Sequence, residues 1–171
     1  MVFNEILADP ALVIGDANGD GRVDGVEDEF VEFVNNTQAS IDLSGWTVAD
    51  GIGTRHTFPA GSILVSGCSV LVFGGGTPTG SFGNSLVQVS STGSLGLNAL
   101  GDRVTLYNQA GTMIAVYEYG TEGGDDQSLT RDPDIFGGEP FVKHSLDNGS
   151  GGAIFSPGTR IDGTPFEGCP H

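Results

Sequence analysis

Apolar residues fall in short runs separated by Gly, Asn, Asp, Ser and Pro, at a spacing of roughly 8 to 15 residues. Runs over 2–8, 30–35, 40–43, 46–49, 56–58, 62–65, 70–73, 86–90, 103–108 and 113–119 predict strands. Several alternate. Val104, Leu106 and Asn108 oppose Arg103, Thr105 and Tyr107, and Ile114, Val116 and Glu118 oppose Ala115, Tyr117 and Tyr119. Successive side chains of a strand point to opposite faces, so this pattern suits strands lying on a core. Between the two runs, Asn108-Gln109-Ala110-Gly111 supplies a Gly for the positive-φ position of a hairpin turn. Almost no segment offers ten residues free of Gly and Pro on a helical pattern. The reading is all-β, a sandwich or barrel of short strands.

One stretch carries a second period. Val26, Phe30, Phe33 and Val34 fall on a helical stripe, yet only about nine residues separate Gly25 from the Asn35-Asn36 turn. Aromatic and β-branched residues dominate it, so a strand is expected, entered by one helical turn over 26–29. Beyond Arg131 the chain is richer in Gly, Pro and Asp but keeps Phe136, Phe141, Ile154, Phe155 and Phe166. A linker has no use for five large apolar residues. One domain over 1–171 is expected, with a core over about 2–131 and an irregular segment 132–171 packing back on it.

Charge narrows the function. Twenty-two acidic residues against six basic ones give the 171-residue chain a net charge of −16. Phosphate contacts need clustered Lys and Arg, so nucleic acid is not an expected partner. The apolar runs are too short to span a bilayer, so no membrane insertion is expected. Met1 leads straight into a predicted strand, so no signal peptide is expected and the sequence reads as a mature or excised segment. Cys68 and Cys169 are too few for a disulfide scaffold and lack zinc-ligand spacing. Two readings stand for them: a bridge closing a loop of about 100 residues, or two independent thiols.

The acids are concentrated. Between Asp16 and Glu32 lie seven carboxylates and one Arg, a net −6 in 17 residues. Within this stretch, Asp16-Ala17-Asn18-Gly19-Asp20-Gly21-Arg22-Val23-Asp24-Gly25-Val26-Glu27 matches the twelve-residue calcium loop. Oxygen side chains stand at positions 1, 3 and 5, Gly at 6, acids at 9 and 12. Ca²⁺ takes six to eight hard oxygen ligands at roughly 2.3–2.6 Å without strict geometry. The expected donors are Asp16, Asn18, Asp20, the carbonyl of Arg22, Asp24, and either Glu27 or the adjacent Asp28. Mg²⁺ demands a smaller octahedron, and zinc or copper would want His or Cys, which are absent here. Pro10 and Gly15 forbid a long entering helix, and no second loop exists. A structural ion holding a long connection between the first two strands is expected, since long loops without secondary structure are uncommon unless something holds them.

Other features are weaker. His56, His144 and His171 lack a nucleophile in a catalytic setting and are expected at the surface or on an edge strand. No Gly-x-Ser-x-Gly elbow occurs. Gly74-Gly75-Gly76 follows a strand but precedes no helix, which argues against phosphate binding. Asp125-Asp126 and Asp132-x-Asp134 read as turns or a second cation site, and Trp46 as a core residue. Asn35-Asn36-Thr37 and Asn148-Gly149-Ser150 match glycan acceptor sequons.

The ordered series of motifs resembles the lamin-tail domain, in its bacterial form. Phe3-Asn4-Glu5-Ile6-Leu7 opens it, then Asp28-Glu29-Phe30-Val31-Glu32-Phe33-Val34-Asn35 and Asp42-Leu43-Ser44-Gly45-Trp46-Thr47-Val48. Val70-Leu71-Val72-Phe73 before three Gly, Gly101-Asp102-Arg103-Val104-Thr105-Leu106-Tyr107, Gln127-Ser128-Leu129-Thr130-Arg131-Asp132-Pro133 and Ser156-Pro157-Gly158-Thr159 continue it. The resemblance implies an immunoglobulin-like β-sandwich with the calcium loop inserted between its first two strands. It also implies a module of secreted or surface-attached proteins, with no catalytic residues to carry over. Glu5 and Glu32 would then be structural residues inside strands, one of them paired with Arg131 or Arg103.

The expected function is a non-catalytic, calcium-binding extracellular module for adhesion or docking to an unidentified protein or surface partner. The alternative is a carbohydrate-binding accessory domain of a secreted hydrolase, which needs Tyr107, Tyr117 and Tyr119 exposed on one face. A metal-dependent hydrolase is a third reading, and it would need an open coordination position.

Overall fold

The computed structural model describes residues 1–170. Twelve strands form: β1 Val2–Leu7, β2 Phe30–Val34, β3 Ile41–Asp42, β4 Thr47–Ala49, β5 Thr54–Thr57 and β6 Ile63–Leu64. They continue as β7 Ser69–Phe73, β8 Leu86–Val89, β9 Asp102–Tyr107, β10 Met113–Tyr119, β11 Leu129–Thr130 and β12 Val142–Lys143. A six-stranded sheet runs in the order β12-β11-β1-β2-β7-β8, and a four-stranded sheet in the order β10-β9-β4-β5. Strands β3 and β6 pair apart from both. All ladders are antiparallel except β7–β8.

The ten apolar runs each yield a strand, and the expected turn before β2 is present as a single Asp28 N–H to Asp24 carbonyl bond of 3.1 Å. The β9–β10 hairpin turns on Gly111 at φ 76°, with Asn108 Oδ1 accepting the amides of Ala110 and Thr112 at 3.0 and 2.9 Å. Strands β11 and β12 escape the pattern. Two-residue ladders are too short to show a period.

The inward face of the larger sheet presents Phe3, Ile6, Val31, Phe33, Val70 and Val72 to Val48, Val104, Leu106, Tyr117 and Tyr119 of the smaller one. Each such fully buried side chain contributes about 1.5–3 kcal/mol. Strands β2 and β7 are buried at every position, so the outer face of the larger sheet is covered too. There Leu7, Phe30, Leu71 and Phe73 meet Ala17 from the acidic connection and Phe82 from the segment after β7.

The carboxyl-terminal segment covers the rest of that face through polar contacts. Glu5 and Glu32 stand opposite each other on β1 and β2, both fully buried. Glu5 accepts from Ser128 Oγ (2.5 Å), Ser156 N (3.0 Å) and Ser156 Oγ (2.9 Å). Glu32 accepts from Asn4 Nδ2 (2.9 Å) and Gly158 N (2.8 Å). Burial pushes both carboxyls above their usual range, Glu32 further because Glu5 lies beside it. The expected arginine pairing does not form. Arg131 donates to the carbonyls of Phe3 and Gly137 and stacks on Phe141, while Arg103 reaches Met113 Sδ. Satisfying these carboxylates takes donors in fixed positions, and the tail backbone and its serines supply them.

Of the five large apolar tail residues, Phe141 and Phe166 enter the main core and Phe155 packs on the outer cluster. Phe136 is instead 84% exposed. Cys68 and Cys169 form a disulfide with Cα atoms 4.5 Å apart, which settles the two readings in favour of the bridge. It ties the chain end to the start of β7 across a sequence separation of 101 residues. A Cys169→Ala variant is expected to lose about 2–5 kcal/mol of unfolding free energy, measured by denaturant titration.

Candidate metal centre

The connection from β1 to β2 spans residues 8–29 and is anchored by Ala17, which is 3% exposed beneath the loop. Its acidic part coils because short side chains carrying oxygen accept nearby amides. Asp16 Oδ2 takes Gly21 N (3.0 Å), Asn18 Oδ1 takes Asp20 N (2.9 Å), and Asp20 Oδ1 takes Arg22 N (3.0 Å). Short polar side chains that bond their own backbone in this way favour turns over helix or strand. Gly19 and Gly21, at φ 70° and 90°, take the left-handed conformations the coil requires.

Asp28 closes the loop from the far side. It is fully buried, with Oδ1 on Asn18 N (3.0 Å) and Oδ2 on Asp24 N (2.8 Å). Burial holds its carboxyl above the usual range, partly opposed by those amides, and the charge of Asp16 adds to the rise. Asp24 turns its Oδ1 to the amides of Val26 and Glu27, which hold its carboxyl low. Glu27 lies partly exposed against Gly75. Thus Asp28 is bonded across the loop to the amides of Asn18 and Asp24, Asp24 caps the turn over Val26 and Glu27, and Glu27 lies against Gly75. Arg22 is exposed, with its amide held on Asp20.

Among the described residues, no three His, Cys, Asp or Glu side chains stand together as a metal-holding group. Two buried polar atoms in this loop nevertheless lack a partner: Asp16 Oδ1 and Asn18 Nδ2. A bare carboxylate oxygen out of water is costly, and a cation is one way to satisfy it. The donor chemistry is all oxygen, which suits a hard cation of the calcium type. Carboxylate oxygens that already accept one amide retain lone pairs for a second partner.

The triple-glycine segment also belongs to this site. After β7, Gly74-Gly75-Gly76 runs along the acidic loop: Gly74 N and Gly75 N donate to the carbonyls of Glu29 (2.7 Å) and Glu27 (3.1 Å). Thr77 N reaches Asp20 Oδ2 at 3.2 Å, Thr79 N reaches the carbonyl of Asn18 at 3.0 Å, and Thr79 Oγ1 donates to the carbonyl of Gly19. The triple glycine serves close backbone approach. A side chain at Gly74 would overlap the carbonyl of Val26, and one at Gly76 would overlap Asn18.

The other singled-out residues are structural. Tyr117 and Tyr119 are 2% and 5% exposed, so the tyrosine platform required for sugar stacking does not exist; both rings point into the core. His144, expected near the surface, is fully buried between the Ala153 carbonyl and Ser156 Oγ, each 2.8 Å away. His56 lies on the edge strand β5, as expected, but is buried, with Nδ1 on Ser91 Oγ (3.1 Å) and Nε2 unpartnered. Burial lowers its pKa to about 4. His171 lies outside the described residues. Trp46 packs against the core with one side in a recess beside Asn108, Gln109 and Ala110. Asp125 pairs with Lys143, and Asp134 holds Asn4 Nδ2 and Ile161 N. Asn35 is fully buried and spends its amide on the carbonyls of Ala39 and Leu64, so it ends its strand and is closed to glycan attachment.

A family model for the Lamin Tail Domain matches residues 3–121, from β1 to the end of β10. The chain belongs to the lamin tail domain family. No curated protein matches it. The lamin-tail match contains both sheets of the immunoglobulin-like sandwich, apart from β11 and β12, and the acidic connection falls inside it. The family is a non-catalytic one.

Gly76 sits at φ 72°, and an added methyl would lie 2.7 Å from Asp20 Oδ2. Gly76→Ala is therefore expected to destabilise by about 1–3 kcal/mol in thermal or denaturant unfolding. Gly53→Ala, with open space around it, should stay within about 0.5 kcal/mol. His56 binds its proton more weakly folded than unfolded, so the stability it carries is complete above about 6.5 and drains as pH falls toward about 4. The full effect is roughly 3 kcal/mol. Melting midpoints between pH 7 and 4.5 should fall more for the native protein than for His56→Leu.

Proposed function

We propose that this lamin tail domain is a non-catalytic docking module whose acidic loop is held by one calcium ion. Asp16, Asn18, Asp20 and Asp24 supply side-chain oxygens, with the Arg22 carbonyl, and either Glu27 or the adjacent Asp28 closes the shell. The ion supplies charge neutralisation and no chemistry. The observation that carries this reading is the buried, donorless Oδ1 of Asp16 inside a loop of like charges.

The module works outside the cell, attached to or secreted with a larger assembly, as one unit over residues 1–171. A disulfide persists most readily in oxidising compartments, and the site suits the calcium levels found there. No helix among the described residues is long and apolar enough to cross a membrane. The net charge of −16 disfavours nucleic acid as the partner, which leaves a protein or cell-surface polymer.

Melting in calcium against melting in chelator tests the ion. At free calcium tenfold above Kd the gain is about 1.4 kcal/mol. For a chain of this size it raises Tm by roughly 3–6 °C. Asp16→Asn should remove most of that difference; equal midpoints in the native protein would refute the ion. Docking is tested by retention of labelled protein on bacterial cell-envelope preparations in calcium, with release by chelator.

A further inference from the structure

Three separate segments meet in a cleft of about 520 Å³: residues 35–38 after β2, 66–67 before β7, and the tail at Ile135, Phe136, Arg160 and Glu167. Phe136 is the anomaly. It is 84% exposed, and the residue before it is a β-branched Ile135 at φ 70°. A branched residue in that region costs about 1–3 kcal/mol, and such strain persists only where the surroundings enforce it. Here Asn4 Oδ1 holds Ile135 N at 2.9 Å and the Ile135 side chain packs on the core. The Phe136 amide is tied back to the carbonyl of Asp134 at 2.8 Å. The outcome is a rigid turn that presents a phenyl face to solvent at the edge of the cleft.

The polar groups that line the cleft offer hydrogen-bond donors and acceptors of both kinds. Arg160 and Glu167 stand 3.4 Å apart, so their charges offset one another. The exposed amide of Gln38 adds a donor and an acceptor with no side-chain bond of its own among the described residues. The cleft is also preformed. The Cys68–Cys169 bridge sits beside two of its walls, and Gly168 N donates to the Gly67 carbonyl at 3.3 Å. A phenyl face with balanced donors and acceptors matches the two sides of a sugar, its C–H face and its hydroxyl edge.

We propose that this cleft binds a neutral glycan, stacked on Phe136 and hydrogen-bonded by Gln38, Arg160 and Glu167. The inference rests on the docking reading and names the surface component that is docked. It places sugar recognition on the tail, away from the buried tyrosines. Peptide binding is the competing outcome.

Calorimetric titration of the intact, oxidised protein with cellohexaose, xylohexaose, chitohexaose and maltohexaose tests it. At least one is expected to bind, with Phe136→Ala weakening it tenfold or more and Gln38→Ala several-fold. Gln109→Ala, beside the Trp46 recess, should leave affinity unchanged. Both tested side chains are exposed, so folding is not at stake. No binding to any of the four, or binding that survives Phe136→Ala, overturns the proposal. Envelope preparations separate this failure from that of docking itself. Periodate, which cleaves sugar diols, should abolish retention while protease spares it. Retention lost to protease but resistant to periodate leaves docking standing and refutes the glycan. No retention from untreated envelopes refutes docking.

Discussion

Side-chain oxygens that accept backbone amides are the interaction on which the irregular half of this protein depends. A sheet buried on both faces needs two covers. One is the second sheet, whose ladders satisfy their own amides. The other is coil, which has no ladder. Asp16, Asp20 and Asp28 on one side of the outer face, and Glu5, Glu32 and Asp134 on the other, supply the missing acceptors. The apolar cluster around Phe30 and Phe73 is buried beneath the coil that these carboxylates hold in place.

The same device creates the charge problem. Acceptors made from carboxylates repel one another, and net −6 over residues 16–32 is more than Arg22 offsets. At Glu5 and Glu32 the problem is met by burial, which raises their pKa, and by donors from two serines, an Asn and the tail. In the acidic loop the spacing of oxygens, the bare Asp16 atom and the threonine segment packed alongside point to a cation as the remedy. In the proposed function, an ion would fix the long connection as the disulfide fixes the long tail, and the loops so held would recognise a surface.

Strand positions and the two-sheet class were legible because period-2 alternation and Gly punctuation survive in a single sequence. The acidic loop was legible because its oxygens recur at fixed offsets. What escaped was long-range. Nothing near Gly74 announces that Glu27 and Glu29 carbonyls lie against it, and nothing near Glu5 announces Ser156, 151 positions away. His144 and the tyrosines were misplaced for the same reason: local polarity says little when a distant segment provides a cover. Asp28 lies one residue beyond the last loop position, and its bonds to the amides of Asn18 and Asp24 form only because the chain folds back there on its way into β2.

Amide hydrogen exchange, followed residue by residue in calcium and in chelator, tests the central claim most directly. The account predicts that chelation strips protection from residues 16–28 and from 74–79, which are bonded to them, while β9 and β10 stay protected. Equal protection of the acidic loop in both conditions would contradict it.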